Sequence, residues 1–226
     1  MTELKLDWCS HEAAKYAVMN WHYSKSMPAS KSVKIGVWED QVYIGCIIFS
    51  WGSNKNIGAP YGLQMTEVCE LVRVALDKHI TPTSKVLSMA IKLLIKQSPG
   101  LRLIVSYADT EQKHLGIIYQ ATNWVYVGTV NTSPFHFVRG KWVKQRTASS
   151  ILGSVIGTQQ KPGFPKIKYL MPLDNDMRKQ IEPLRKPYPK RGQGERDNAL
   201  QSNAETGGAS PTCPLIPVDT GIISNV

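Results

Sequence analysis

The sequence predicts a mixed α/β fold, with a mostly antiparallel central sheet flanked by helices. Three observations carry this. SHEAAKYAVMNW and TPTSKVLSMAIKLLIKQSPG repeat apolar residues at spacings of three and four, the period of a helix with one buried face. SVKIGVWEDQVYIGCIIFSW, TEVCELVRVAL and LRLIVSYAD are β-branched runs of strand length. The two kinds follow one another as α, β-hairpin, β, α, β, α, β, β, an order that lets helices cover a single sheet.

Each element has a local reason. Ser10 is placed to cap a helix that buries Ala13, Ala14, Ala17, Val18 and Trp21. The hairpin turns at Glu39-Asp40, and residues 50–62, rich in Gly and Asn, read as a flexible connection. TEVCELVRVAL is nearly continuous in apolar residues, as a strand covered on both faces would be. The second long helix packs Val86, Ala90, Leu93 and Leu94 and stops at Pro99-Gly100. EQKHLGIIYQATNW predicts a helix over 111–123. VYVGTV and HFVRGKWVKQR follow as strands, and PKIKYLMPLD as a last extended piece. From residue 192 aromatics cease and Gly, Ser, Asn, Pro and Thr dominate. The expectation is a folded body over 1–191 and a disordered tail over 192–226.

Charge separates the two parts. Residues 1–191 hold 26 Lys/Arg against 13 Asp/Glu, and residues 192–226 hold one against four. A basic body points to a polyanionic partner, nucleic acid above all. No run of eighteen apolar residues and no apolar signal core at the N-terminus are present, so neither a membrane partner nor secretion is indicated. The four cysteines lack CxxC spacing and read as thiols of a reducing cytoplasm.

Several residues stand out chemically. NWHYSKSMP crowds His22, Tyr23, Ser24 and Lys25 at a helix end. Three tasks are open to Asp109, at the end of a buried strand: acid/base group, metal ligand, or cap of the next helix, which would also carry His114 and Tyr119. Glu70 and Arg73 interrupt an apolar strand, and a spacing of three places them on opposite faces. Arg139, Lys141, Trp142, Lys144 and Arg146 form a basic ribbon with an aromatic on which an unpaired base could stack.

NWHYSKSMP, CELVRVAL, YADTEQKHLGIIYQATNWVYVG, RGKWVKQRT and PLDNDMRKQIEPLRKPYPKR, in that order, resemble the Mom-like DNA-modification proteins of bacteriophages over residues 10–191. The resemblance implies an acyltransferase-like fold of the GCN5-related (GNAT) kind and a cytoplasmic role in an infected or lysogenic bacterial cell. It also implies transfer of a carbamoylmethyl group from a small-molecule donor to adenine N6 of double-stranded DNA, protecting phage DNA from restriction. A site inside a duplex requires the adenine to be flipped out. The resemblance places His22, Tyr23 and Asp109 at the centre, with Ser24, Lys25, Glu70, Arg73, His114 and Tyr119 around them. An acyl-CoA donor would lie at the helix start carrying Thr83, Ser84 and Lys85, although DKHITPTSK lacks the Gly-rich phosphate loop of such enzymes. Iron or another divalent metal would take His22 and Asp109 as ligands. Rival readings are a non-catalytic DNA binder and an acyl-CoA-dependent N-acyltransferase acting on another amine.

Overall fold

The computed structural model describes residues 2–51 and 56–190. The segment expected to be a disordered tail lies outside the described residues. A seven-stranded sheet runs in the order β1-β2-β3-β4-β5-β10-β6. Its strands are β1 (Leu4–Trp8), β2 (Ser32–Glu39), β3 (Val42–Ser50), β4 (Val68–Leu76), β5 (Leu103–Asp109), β6 (Val125–Val130) and β10 (Lys166–Pro172). Only β4 and β5 pair in parallel; the other neighbours in this sheet are antiparallel. A second sheet joins β7 (Phe135–Val138) to β8 (Lys141–Lys144) and to β9 (Gln160–Lys161). The fold class expected from the sequence is the one observed.

Helix α1 (His11–Trp21) starts where expected, with the Ser10 hydroxyl accepting from the Ala13 N–H. It buries Ala13, Ala14, Ala17 and Val18 against Cys46, Ile48 and Ala75 on one face of the sheet. Helix α2 (Thr83–Gln97) covers the other face, where Val86, Leu87, Ala90 and Leu94 meet Ile47, Leu71 and Ile104. The β2–β3 hairpin turns through Asp40 and Gln41, both at positive φ, the geometry of a tight primed turn.

Two expectations change. The helix predicted over 111–123 is a 3-10 turn (Thr110–Gln112) and a single helical turn, α3 (Ile117–Gln120). Lys113 and Gly116, both left-handed, break it between them. The ribbon predicted through Arg146 ends at Lys144, and Gln145–Leu152 forms helix α4, which buries Ala148. PKIKYLMPLD is extended as expected: it forms β10, inserted between β5 and β6. Helix α5 (Asn175–Ile181) closes the fold, capped by Asp174. These elements belong to one compact unit, Met1–Pro189.

Candidate active site

The parallel ladder of β4 and β5 extends only from Val68↔Leu103 to Leu71↔Ser106. At its last rung Ser106 Oγ donates to the Leu71 carbonyl at 2.9 Å. That leaves the Tyr119 hydroxyl to donate to Ser106 Oγ at 2.8 Å. Beyond this rung the register ends while both strands continue to Leu76 and Asp109. A cleft of about 830 Å³ is lined here by Glu70, Arg73, Asp109, Glu111 and Lys166. Carboxyl ends of parallel strands, where neighbours diverge, are where α/β sheets take ligands.

Glu70 and Arg73 share this cleft, against the expectation of opposite faces. The cause is a register shift: Ile48 pairs with Arg73 and Phe49 with Leu71, so Val72 is an extra residue. A bulge of this kind changes the phase of side-chain alternation, and three positions then return to the same side.

His22 and Tyr23 arrive from the end of α1. His22 is the buried C-cap, its N–H donating to the Val18 carbonyl. The Ser24 N–H donates to His22 Nδ1 at 3.1 Å, and Ser24 Oγ lies 2.8 Å from the same nitrogen. A backbone N–H can only donate, so Nδ1 is an acceptor and the neutral ring carries its proton on Nε2. Burial, followed by the charges of Arg73, His114 and Lys25, lowers the His22 pKa to about 4. At neutral pH His22 is therefore an uncharged ring with an Nε2–H donor, and its Nδ1 lone pair is taken up by Ser24. Its ring stacks on Tyr23 at 4.4 Å between centroids, and Tyr23 meets the His114 ring edge-on at 5.3 Å. The Tyr23 hydroxyl donates to Asp109 Oδ2 across a long 3.4 Å. Burial and Asp109 push the Tyr23 pKa up to about 12, so the phenol keeps its proton.

Asp109 is buried, with Oδ1 accepting from the Glu111 N–H at 3.1 Å. It therefore caps the following 3-10 turn and still presents Oδ2 toward Tyr23. Lys166 Nζ stands 4.0 Å from Oδ2, the outer limit of an ion pair. Lys166 was missed in the sequence because its position depends on the Lys166↔Asp109 register of β10 against β5. Arg73 binds the Ser26 carbonyl through Nε and Nη2 at 3.1 and 3.0 Å, tying the His22–Ser26 turn to β4.

Two expected members make structural contacts. Lys25, at positive φ, donates from Nζ to the Asn20 carbonyl and satisfies the end of α1. Tyr119 is buried in the core among Trp124 and Tyr169.

The residues do not fit a metal at His22 and Asp109. A ligating histidine donates its second ring N–H to a partner, whereas His22 Nδ1 accepts one. Among the described residues no group of three or more His, Cys, Asp or Glu stands together to hold an ion.

At the start of α2, Glu39 spans the approach to the helix. Its carboxylate oxygens accept from the Ile80 and Thr81 N–H groups, each at 2.8 Å. Thr83 Oγ1 lies 3.0 Å from His79 Nε2. Within the first turn of the helix the Lys85 and Val86 N–H groups donate to the Pro82 carbonyl. The basic segment holds Arg139 at the β7–β8 turn and Lys141, Trp142 and Lys144 on β8. Arg146 lies in the first turn of α4. Lys144 and Arg146 line the cleft.

The class defined by the fold is a mixed α/β protein with a cleft where the parallel pair of its main sheet diverges. The chain belongs to the Mom protein family, whose model matches residues 3–190. Over 153 residues, 66% of this chain, it is 26% identical to Methylcarbamoylase mom of Escherichia phage Mu. That match spans 63% of the relative's own length, less than two thirds. Solved structures similar to it include a Bacillus subtilis acetyltransferase in complex with CoA, 10% identical, covering 76% of this chain and 99% of that one at a TM-score of 0.45. Another is the ribosomal-protein-S5-alanine acetyltransferase of Vibrio fischeri, 9% identical, covering 76% and 94% at 0.46. No helix among the described residues is long and apolar enough to cross a membrane.

Proposed function

We propose that this chain is a DNA-modifying transferase that attaches a carbamoylmethyl group to adenine N6, as the phage relative's name and the family resemblance suggest. The observation that carries the reading is the contact of the stacked His22–Tyr23 pair with Asp109, a residue of the cleft wall, made between two distant segments within the family-matched region. The exocyclic nitrogen of adenine is a weak nucleophile, and its attack must be accompanied by loss of a proton. Asp109 Oδ2 is the group placed to accept it. A new N–C bond forms as the donor's leaving group departs with the bonding pair. His22 Nε2–H and the Tyr23 hydroxyl are donors that orient the donor group or the base. Glu70 and Arg73 shape the wall. A base reaching Asp109 from a duplex must leave the stack.

An acyl-CoA-type donor would place its phosphates at Thr83, Ser84 and Lys85, beside the N–H groups that Glu39 already takes. A large excess of coenzyme A over its dissociation constant should then raise the Tm. An unchanged Tm would remove this donor class and leave the transferase reading standing. A non-catalytic DNA binder, which the basic body and the absence of a Gly-rich loop would also suit, is the alternative.

The test of the reading is mass analysis of nucleosides from DNA co-expressed with the chain. A modified adenosine carrying the carbamoylmethyl mass is expected with the wild type. Unmodified adenosine alone would overturn the proposal.

A further inference from the structure

Between Glu111 and Asp174 the sequence contains no acidic residue, while eight lysines and arginines fall there. The small sheet lies in this stretch, and its two faces differ. His136 and Val138 are buried. The opposite face pairs Phe135 with Lys144 and Lys161, and Phe137 with Trp142. Phe137 and Trp142 are 41% and 40% exposed, their rings 5.3 Å apart. Lys161 Nζ sits 4.9 Å from the Trp142 ring and 5.4 Å from Phe135. Phe135 and Lys144 also line the cleft beside Asp109, so this face runs outward from the candidate site.

A stacked duplex offers its phosphates but not the faces of its bases. Exposed rings interleaved with cations gain from both only when a base is unpaired. A cross-strand aromatic pair also steadies a short sheet, but that task does not require Lys161 against the Trp142 and Phe135 rings or Lys144 opposite Phe135. Phe135 and Phe137, two residues apart on one strand, place successive rings roughly 7 Å from each other along the same face.

We propose that the outer face of the β8-β7-β9 sheet holds an unpaired stretch of DNA strand next to the cleft. A base stacks on the Phe137–Trp142 pair, and its flanking phosphates meet Lys144 and Lys161. This rests on the DNA reading above and adds to it the form of the DNA and the surface that grips it. The strand flanking the modified base is held open here while that base enters the cleft.

The test is anisotropy of a labelled single strand and of the matching duplex with the full chain, without any group donor. Trp142→Leu should weaken single-strand binding roughly five- to a hundredfold and duplex binding clearly less. Phe137→Leu should act in the same direction, and Trp142→Phe, which keeps a ring, should bind nearly as the wild type does. Lys161→Gln should flatten the salt dependence of single-strand binding by about 0.7 in log–log slope. Melting curves show which variants are folded. Should Trp142→Leu be unfolded, Phe137→Leu decides. Undiminished single-strand binding, or equal losses on both DNAs, overturns the proposal. Because no modification is read, failure here leaves the transferase reading untouched, and a wild type that modifies nothing leaves the stacking surface standing.

Discussion

The Tyr23 hydroxyl donates to the Asp109 carboxylate across 3.4 Å, joining residues 86 positions apart in the chain. Neither α1 nor β5 alone builds this pair; it exists because the turn after α1 carries Tyr23 to the end of β5, where Asp109 stands. A long hydrogen bond of this kind is weak and easily exchanged for one to a substrate. Asp109→Asn keeps an oxygen to cap the Glu111 N–H but cannot take a proton. Modification should fall by about 10²–10⁴-fold, the usual worth of a general base, with DNA affinity unchanged. Quantifying modified adenosine beside a binding isotherm checks both, and wild-type modification by this variant would remove Asp109 from the chemistry.

His22 makes a separate and spectroscopic prediction. Its ring should appear in ¹⁵N NMR as the Nε2–H tautomer, neutral at pH 7 and titrating near 4. The folded pKa lies below the ordinary 6.5, so the unfolded chain binds the proton first as acid is added. His22 thus contributes stability above about pH 6.5, and that contribution is lost as pH falls from 6.5 toward 4. His22→Gln, which can still donate a hydrogen bond, should retain more activity than His22→Ala. A neutral Nδ1–H tautomer at pH 7, which has no proton on Nε2, would refute the donor role.

How far the site was legible depends on which physics placed each residue. The helical period of α1 and the alternation of the β2–β3 hairpin are local, and both read directly from the chain. The NWHYSKSMP crowding marked His22 and Tyr23 for the same reason. Glu70 and Arg73 were noticed but assigned to opposite faces, because the Val72 bulge is created by pairing with β3 and leaves no local mark. Lys166 was invisible until β10 found its place between β5 and β6. Apolar spacing over 111–123 suggested a continuous helix, yet left-handed Lys113 and Gly116 divide it. At Gly116 the reason is steric: a Cβ there would come within 2.8 Å of both Tyr169 and Tyr119.

Arg73 acts on the site through the Ser26 carbonyl rather than by touching Asp109 in any contact described above. Both Nε and Nη2 hold that oxygen, a fork that a lysine ammonium cannot reproduce. Arg73→Lys should keep the charge but loosen the His22–Ser26 turn, broadening the His22 ring resonances and lowering kcat. Arg73→Gln removes the charge and should raise the His22 pKa, since Arg73 is one of the groups that depress it. If His22 titrates identically in the wild type and in Arg73→Gln, the electrostatic coupling is absent.

Glu39 supplies the last prediction, on stability rather than chemistry. It ends β2, is buried, and accepts from the Ile80 and Thr81 N–H groups just before α2. The Ile80 N–H, then Thr81, hold its pKa below the ordinary carboxylate range. A depressed carboxylate stabilises the fold above its unfolded pKa, and the contribution disappears as pH falls through the folded value. Glu39→Ala leaves two backbone donors without their acceptor and should lower the Tm by several degrees at pH 7. Glu39→Gln keeps the size but sets an amide N–H against one of those donors, so it too should be less stable than the wild type. In both variants the loss relative to wild type should shrink as pH is lowered below the carboxylate range, because protonation already removes much of what Glu39 provides. Thermal melts at pH 7 and pH 3.5 read this directly, and a pH-independent difference would show that Glu39 acts through packing alone.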